Sequence, residues 1–264
     1  MLEIKNITKI FNAGTVNEKV ALDGVSLTLN DGDFVTVIGG NGAGKSTMLN
    51  AVAGTYFLDG GSISVDGADI TRLPEHKRAR FIGRVFQDPM MGTAADMWIE
   101  ENMALANRRG MRRSLRWAIT KKERERYREM LSELELGLED RLSTKVGLLS
   151  GGQRQALTLL MAAMKQPKVL LLDEHTAALD PKTAATVLQL SDKFISEYKL
   201  TSLMVTHNMK DAIAHGNRLI MMNAGKIVLD IGGEEKKKLT VEKLLELFSK
   251  SSGTEFANDR ALLG

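Results

Sequence analysis

An α/β fold with a helical insertion is predicted by three observations. Apolar strand-like runs alternate with helix-period segments at both ends of the chain. A glycine-rich phosphate-loop pattern joins an apolar run to a helix near residue 40, and residues from about 88 to 160 read as helices.

The first forty residues read as strands over Leu2 to Phe11, Ser26 to Leu29 and Phe34 to Ile38, with Asn30-Asp31-Gly32-Asp33 as a turn. Residues 44 to 53 turn helical. Ser62 to Val65 alternates again and stops at the turn dipeptide Asp66-Gly67, and Val85-Phe86 ends a further strand. From Asp88 to about Lys165 the texture is helical; around Thr120 to Leu136, Tyr127, Met130, Leu131 and Leu134 fall on one side of a heavily charged helix. Val169 to Leu172 is an all-apolar run suited to a parallel strand buried on both faces. A helix over Lys182 to Glu197, a strand over Ser202 to Val205, a hairpin at Asn223-Ala224-Gly225-Lys226 and a helix over Val241 to Lys250 complete the series. No internal repeat is visible.

The 264 residues are 43% hydrophobic and 26% charged, a globular balance. Its 36 basic and 33 acidic residues leave a net charge of +3, too small to indicate a nucleic-acid partner. The chain has no cysteine, which excludes a disulfide framework and thiolate metal sites. Met1-Leu2-Glu3-Ile4-Lys5 alternates like a strand and is not expected to act as a signal peptide. Apolar runs such as Ala156 to Met164 are far shorter than the roughly 20 residues a bilayer span requires. The 14 methionines, Met90-Met91 and Met221-Met222 among them, are expected to fill the core. The basic stretch Arg108 to Arg128, with Trp117, is read as a solvated helix face.

The chemistry is concentrated in three motifs. Gly39-Gly40-Asn41-Gly42-Ala43-Gly44-Lys45-Ser46 fits G-x-x-x-x-G-K-[ST], follows an apolar strand and opens a helix. Its glycines let backbone N–H groups wrap phosphate oxygens; Lys45 would reach the β- and γ-phosphates and Ser46 would ligate Mg²⁺. Four apolar residues then end in Asp173-Glu174, placing Asp173 to hold Mg²⁺ through water and Glu174 to act as general base on the attacking water. Leu149-Ser150-Gly151-Gly152-Gln153 is a second serine- and glycine-rich helix start, read either as an anion site or as a helix cap by Ser150.

The last pentapeptide resembles the signature sequence of ABC ATPases and stands about twenty residues before Asp173, as it does in that family. Other matches follow in order: Gln87 resembles the Q-loop, which senses Mg²⁺; Ala178-Leu179-Asp180 resembles the D-loop; His207 stands where the switch histidine contacts the γ-phosphate. Phe11 is the candidate for stacking on adenine. The resemblance runs from Leu2 to about Gly232. It departs at His175, where many relatives carry proline and where a packing role is expected.

The resemblance implies a P-loop NTPase (RecA-like) core with an N-terminal antiparallel β subdomain and an inserted α-helical subdomain. The whole chain, 1–264, would be one ABC ATPase domain: core and β subdomain over 1–87 and 161–232, signature subdomain over 88–160, and a C-terminal helical extension over 233–264. ATP and Mg²⁺ would be bound by Phe11, Gly39, Asn41, Gly42, Ala43, Gly44, Lys45, Ser46, Thr47 and Gln87, with Ser46, Gln87 and Asp173 at the metal. Lys45, Glu174 and His207 would be catalytic. Ser150, Gly151, Gly152, Gln153 and Asp180 would contact the ATP of a second copy in a head-to-tail homodimer. Implied partners are a membrane permease, docked at Met90 to Trp98, and a solute-binding protein, with the chain peripheral on the cytoplasmic side of a bacterial membrane and no nucleic acid bound. The run from Leu148 to Met161, followed by Asp173 to Asp180, is similar to cassettes of uptake systems for amino acids, which implies import of a small amino-acid-like solute, aromatic ones included. The alternatives are an exporter ATPase, a non-transport ABC ATPase, which usually carries two cassettes, coiled coils or zinc-binding cysteines, and a regulatory module without turnover.

Overall fold

The computed structural model describes residues 1–111 and 119–252; Trp117 and the rest of 112–118, in the middle of the basic stretch, and the end of the C-terminal extension lie outside them. Along the chain, β1 (Leu2–Phe11) and β2 (Lys19–Leu29) precede β3 (Phe34–Ile38), α1 (Lys45–Ala53), β4 (Gly60–Val65) and β5 (Ala68–Asp69). Next come α2 (Glu75–Arg78), β6 (Ile82–Val85), α3 (Ile99–Asn107), α4 (Lys121–Ser132) and α5 (Gly151–Ala163). The chain then continues through β7 (Val169–Asp173), α6 (Pro181–Glu197), β8 (Ser202–Val205), α7 (Met209–Ala214), β9 (Arg218–Asn223), β10 (Lys226–Gly232), α8 (Gly233–Lys237) and α9 (Val241–Ser252).

Two sheets organise these elements. β2-β1-β4-β5 is antiparallel throughout. The second sheet has the order β10-β9-β3-β8-β7-β6, parallel except for the antiparallel edge strand β10. Its central strands β3, β7 and β8 are buried on both faces apart from Asp173, which is why their sequences are largely apolar, broken only by the buried Thr36 and Ser202, rather than alternating. On one side, α1 and the antiparallel sheet close over Val35, Val37, Leu171 and Val205. On the other, α3, α4, α5 and α6 share a core around Tyr127, Leu157, Leu172 and Phe194. A third cluster, including Met209, Leu219, Ile231, Leu244 and Phe248, attaches α9 to α7 and the β9–β10 edge.

β2 starts at Lys19, seven residues before the expected Ser26. The alternation that would reveal its first half is broken at Gly24, whose φ of +68° accompanies irregular pairing with β1 between Ile4 and Ile10. The methionine expectation divides. Met221 and Met222 are buried in β9, whereas Met90 and Met91 are exposed, because they sit in a turn after β6 where no second layer covers them. Arg78 is fully buried without a carboxylate bonded to it; its guanidinium donates to the carbonyls of Ala51, Val52, Thr71 and Leu73, closing the C-terminal end of α1.

Candidate functional site

β3 carries the loop 39–44 to the carboxyl edge of the parallel sheet, where α/β proteins place their ligands. Gly44 caps α1 with φ +103°, and a Cβ there would stand 2.6 Å from the Ala21 carbonyl oxygen, so a side chain is excluded by conformation and by space. No side chain caps α1, and its first turn has no acidic residue, which leaves its N-terminal N–H groups and dipole for an anion. Lys45 is buried; its Nζ donates to the carbonyls of Gly39 at 2.7 Å and Gly40 at 3.1 Å. Burial lowers its pKa, while Glu174 and Asp173 counter that by favouring the ammonium.

β7 delivers Asp173 and Glu174 to the same edge, and β8 delivers His207 just beyond its end. Glu174 has φ +46°, and its N–H donates to Val205 at 3.0 Å, so the backbone turns away from the sheet there and the carboxylate meets His207. Glu174 Oε1 and His207 Nε2 are 2.6 Å apart. A cavity of about 260 Å³ is lined by Phe11, Lys19, Ala21, residues 41–47, Glu174 and His207. Thus a phosphate loop, an ammonium, a carboxylate, an imidazole and an aromatic ring converge on one opening. That arrangement can hold a nucleoside polyphosphate and orient a water at its end.

Asp173 is engaged by a residue that sequence reasoning missed. Arg84 of β6 bonds Asp173 Oδ2 at 2.9 Å, with both side chains largely buried, and its guanidinium lies 4.5 Å from the Phe86 ring centre. Burial raises the Asp173 pKa and Arg84 opposes that rise. The oxygen donors Ser46, Asp173 and Gln87 suit a hard divalent cation. Gln87 is exposed after β6, and it and Asp173 do not line the cavity. Phe11 packs edge-to-face on Tyr56, centroids 5.3 Å apart; Tyr56 and Lys19 also escaped the sequence reading. Neither carries a motif: the β1–β2 pairing brings Lys19 to the opening, and Tyr56, in the loop after α1, is tied to it only by packing on Phe11.

The second serine- and glycine-rich helix start lies outside this cavity. Ser150 Oγ accepts from the Gln153 N–H at 3.3 Å, and Gln153 Oε1 accepts from the Ser150 N–H at 3.2 Å, a capping box. Ser150 and Gly151 are exposed, and a side chain on Gly152 would strike the Thr183 methyl of α6. Asp180 caps α6 through the Thr183 N–H at 3.1 Å, a bond that lowers its pKa. His175 faces inward: it is buried, bonded to Ser191 Oγ at 2.9 Å, and burial pushes its pKa down to about 4.

Comparison with known proteins gives a consistent picture. A family model described as ABC transporter matches residues 22–177. The tyrosine transport ATP-binding protein of Clostridioides difficile is 46% identical over 248 residues, 94% of this chain and 98% of that protein. The methionine import ATP-binding protein MetN 2 of Pseudomonas entomophila is 37% identical over 231 residues, 86% of this chain and 66% of that protein. Among solved structures, the dimeric post-hydrolysis state of the ATP-binding cassette MJ0796, bound to ADP and Pi, superposes with a TM-score of 0.75 at 30% identity, covering 88% of this chain and 98% of that one. The ADP conformation of MJ1267, an ATP-binding cassette of an ABC transporter, gives 0.77 at 29% identity, covering 94% and 98%.

Proposed function

The chain belongs to the ABC transporter family, and on that premise we propose that its ATP hydrolysis powers import of a small amino-acid-like solute, an aromatic amino acid foremost, through a separate membrane permease. Hydrolysis of ATP is the family's reaction, and the chain is an ATP hydrolase of that kind. The solute class draws its support from the near full-length identity with a tyrosine transport protein; the cassette itself has no residue that would touch the solute.

The observation that carries the catalytic reading is the 2.6 Å Glu174–His207 pair at the mouth of the phosphate cradle. In our assignment Glu174 takes the proton of the attacking water, His207 orients Glu174 and the γ-phosphate, and Lys45 leaves the Gly39 and Gly40 carbonyls to neutralise the phosphates. Gly39, Asn41, Gly42, Ala43, Gly44 and Thr47 line the phosphate site, and Phe11 stacks on the base. Ser46, Asp173 and Gln87 would hold Mg²⁺, which supplies charge neutralisation between the β- and γ-phosphates when bound.

Ser150, Gly151, Gly152, Gln153 and Asp180 do not line the chain's own cradle. We assign them to the ATP of a second copy in a head-to-tail homodimer, an arrangement supported by the dimeric state of a relative. The helical segment 88–160 serves as the signature subdomain and 233–264 as an extension. Among the described residues no helix is long and apolar enough to cross a membrane. We assign attachment to the permease, with Met90, Met91 and Trp98 as an exposed apolar docking surface on the cytoplasmic side, and a solute-binding protein completing the system.

The reading is tested by reconstituting the chain with its cognate permease in vesicles and measuring ATP-dependent uptake of labelled tyrosine, phenylalanine and tryptophan against a polyamine. Uptake of an aromatic amino acid is expected. Efflux, or uptake of the polyamine alone, overturns the assignment.

A further inference from the structure

We propose that Lys19 is a second phosphate-binding cation of the nucleotide site, acting on the α-phosphate, an assignment that rests on the ATP-binding reading above. Three observations carry it. Lys19 lines the same cavity as residues 41–47, and its Nζ lies 3.4 Å from the position a Cβ would take on Gly42, which puts the ammonium over the outer lip of the phosphate loop. Neighbouring lysines on this face have carboxylate partners, Lys9 with Asp59 and Lys226 with Asp23, whereas Lys19 has no ion pair among the described residues. The two cations at the cavity are also disposed differently. Lys45 is buried and bonded to two loop carbonyls on the side of Glu174 and Asp173, while Lys19 is exposed and free to meet an incoming anion.

Register fixes which phosphate Lys19 meets. β1 and β2 pair Phe11 directly with Lys19, so the ammonium stands at the nucleoside end of the opening, next to the ring assigned to the base. Lys45 stands at the hydrolytic end, in the field of the two carboxylates. A polyphosphate laid from Phe11 to Glu174 brings its first phosphate to Lys19 and its last to Lys45. An exposed ammonium gains from the singly charged α-phosphate oxygens with little desolvation cost of its own.

The test is competition of ATP, ADP, AMP and adenosine against a fluorescent ATP analogue, with EDTA present so that no metal contributes, on the full chain and on Lys19→Met and Lys19→Arg. Lys19→Met is expected to weaken ATP, ADP and AMP by a common factor of about ten, near the lower end for one hydrogen bond to a charged group, and to leave adenosine unchanged. The loss shrinks as salt is raised, and Lys19→Arg keeps most of the affinity. In steady-state hydrolysis the loss falls on KM rather than kcat, since the contact is the same in ground and transition states. Unchanged affinities, a loss confined to ATP, or an equal loss for adenosine each overturn the assignment. Failure of the underlying reading is distinct: the unaltered chain would then bind no ATP. Equal melting temperatures of the three proteins exclude a folding effect.

Discussion

The chain begins two helices, α1 and α5, with glycine and serine, and it completes them in opposite ways. At α1 no side chain caps the helix, Lys45 is folded into the loop, and Asp173, Glu174 and His207 arrive from two neighbouring strands. At α5 the cap is satisfied within the chain by Ser150 and Gln153, Gly152 is pressed against α6, and the helix start does not line the cavity. The first corner is chemically complete but self-engaged. The second is structurally complete and chemically unfinished. The contrast accords with the assignment proposed above, in which α1 serves the chain's own nucleotide and α5 that of a second copy.

The largest expected effect tests the first corner. Glu174→Gln removes the proton acceptor while keeping size and hydrogen bonding, so turnover should fall by roughly 10²–10⁴-fold with ATP binding retained. Phosphate release and nucleotide binding, measured on the same preparation, check this. Near-normal turnover would take Glu174 out of the base role and dissolve the contrast between the corners.

The second corner is tested by mixing. Ser150→Arg places bulk and charge at the α5 start and should abolish hydrolysis in a dimer whose signatures act on the partner's ATP. Mixing equal amounts of Ser150→Arg and Glu174→Gln chains should restore activity to roughly a quarter of wild type, since half of the dimers are mixed and one of two sites in each is intact. No restoration would mean that α5 serves its own chain.

A smaller effect concerns the interior of the first corner. Arg84→Met leaves the Asp173 carboxylate without its partner in a largely buried place, 12% and 13% of the two side chains being exposed. A loss of about 3 kcal/mol is expected in urea unfolding, and Arg84→Met combined with Asp173→Asn should recover most of it. Equal stability of the single and double variants would show that the pair is solvated rather than structural.

How these corners could be read from sequence differs in the same way. The phosphate loop, β3, β7 and β8 are local patterns, a spacing or an apolar run, and each fell where the pattern put it. The capping box at Ser150 is also local, four residues long. Arg84 is not: it is one charged residue in a short strand, and its partner lies 89 residues later, joined only through the β6–β7 pairing. Lys19 and Tyr56 are hidden for the same reason, the first also because Gly24 breaks the alternation of β2. Exposure of Met90 and Met91 depends on which layer fails to cover a turn, which hydropathy does not encode.

The smallest expected effect lies next to Glu174, at His175, a buried titratable group of the first corner. The His175 pKa is pushed from the ordinary 6.5 down to about 4 by burial, with the nearby His215 adding to the effect. The unfolded chain therefore binds a proton that the folded chain refuses between those two values. The stability contributed by neutral His175 is complete above pH 6.5 and declines as pH falls towards 4, by about 3 kcal/mol in all, below which it is flat. His215 works in the opposite sense: its bond to Asp192 raises its pKa, so its contribution is complete below pH 6.5 and fades as pH rises through the folded value. Of these two histidines, His175 is the one whose contribution changes as pH falls from 6.5 towards 4. His175→Gln, which keeps a polar atom towards Ser191 but cannot titrate, should flatten the slope of unfolding free energy between pH 6.5 and 4 while leaving it unchanged at pH 8 to within about 1 kcal/mol. An unaltered slope would place the acid sensitivity elsewhere, in the carboxylates, and would leave His175 as packing alone.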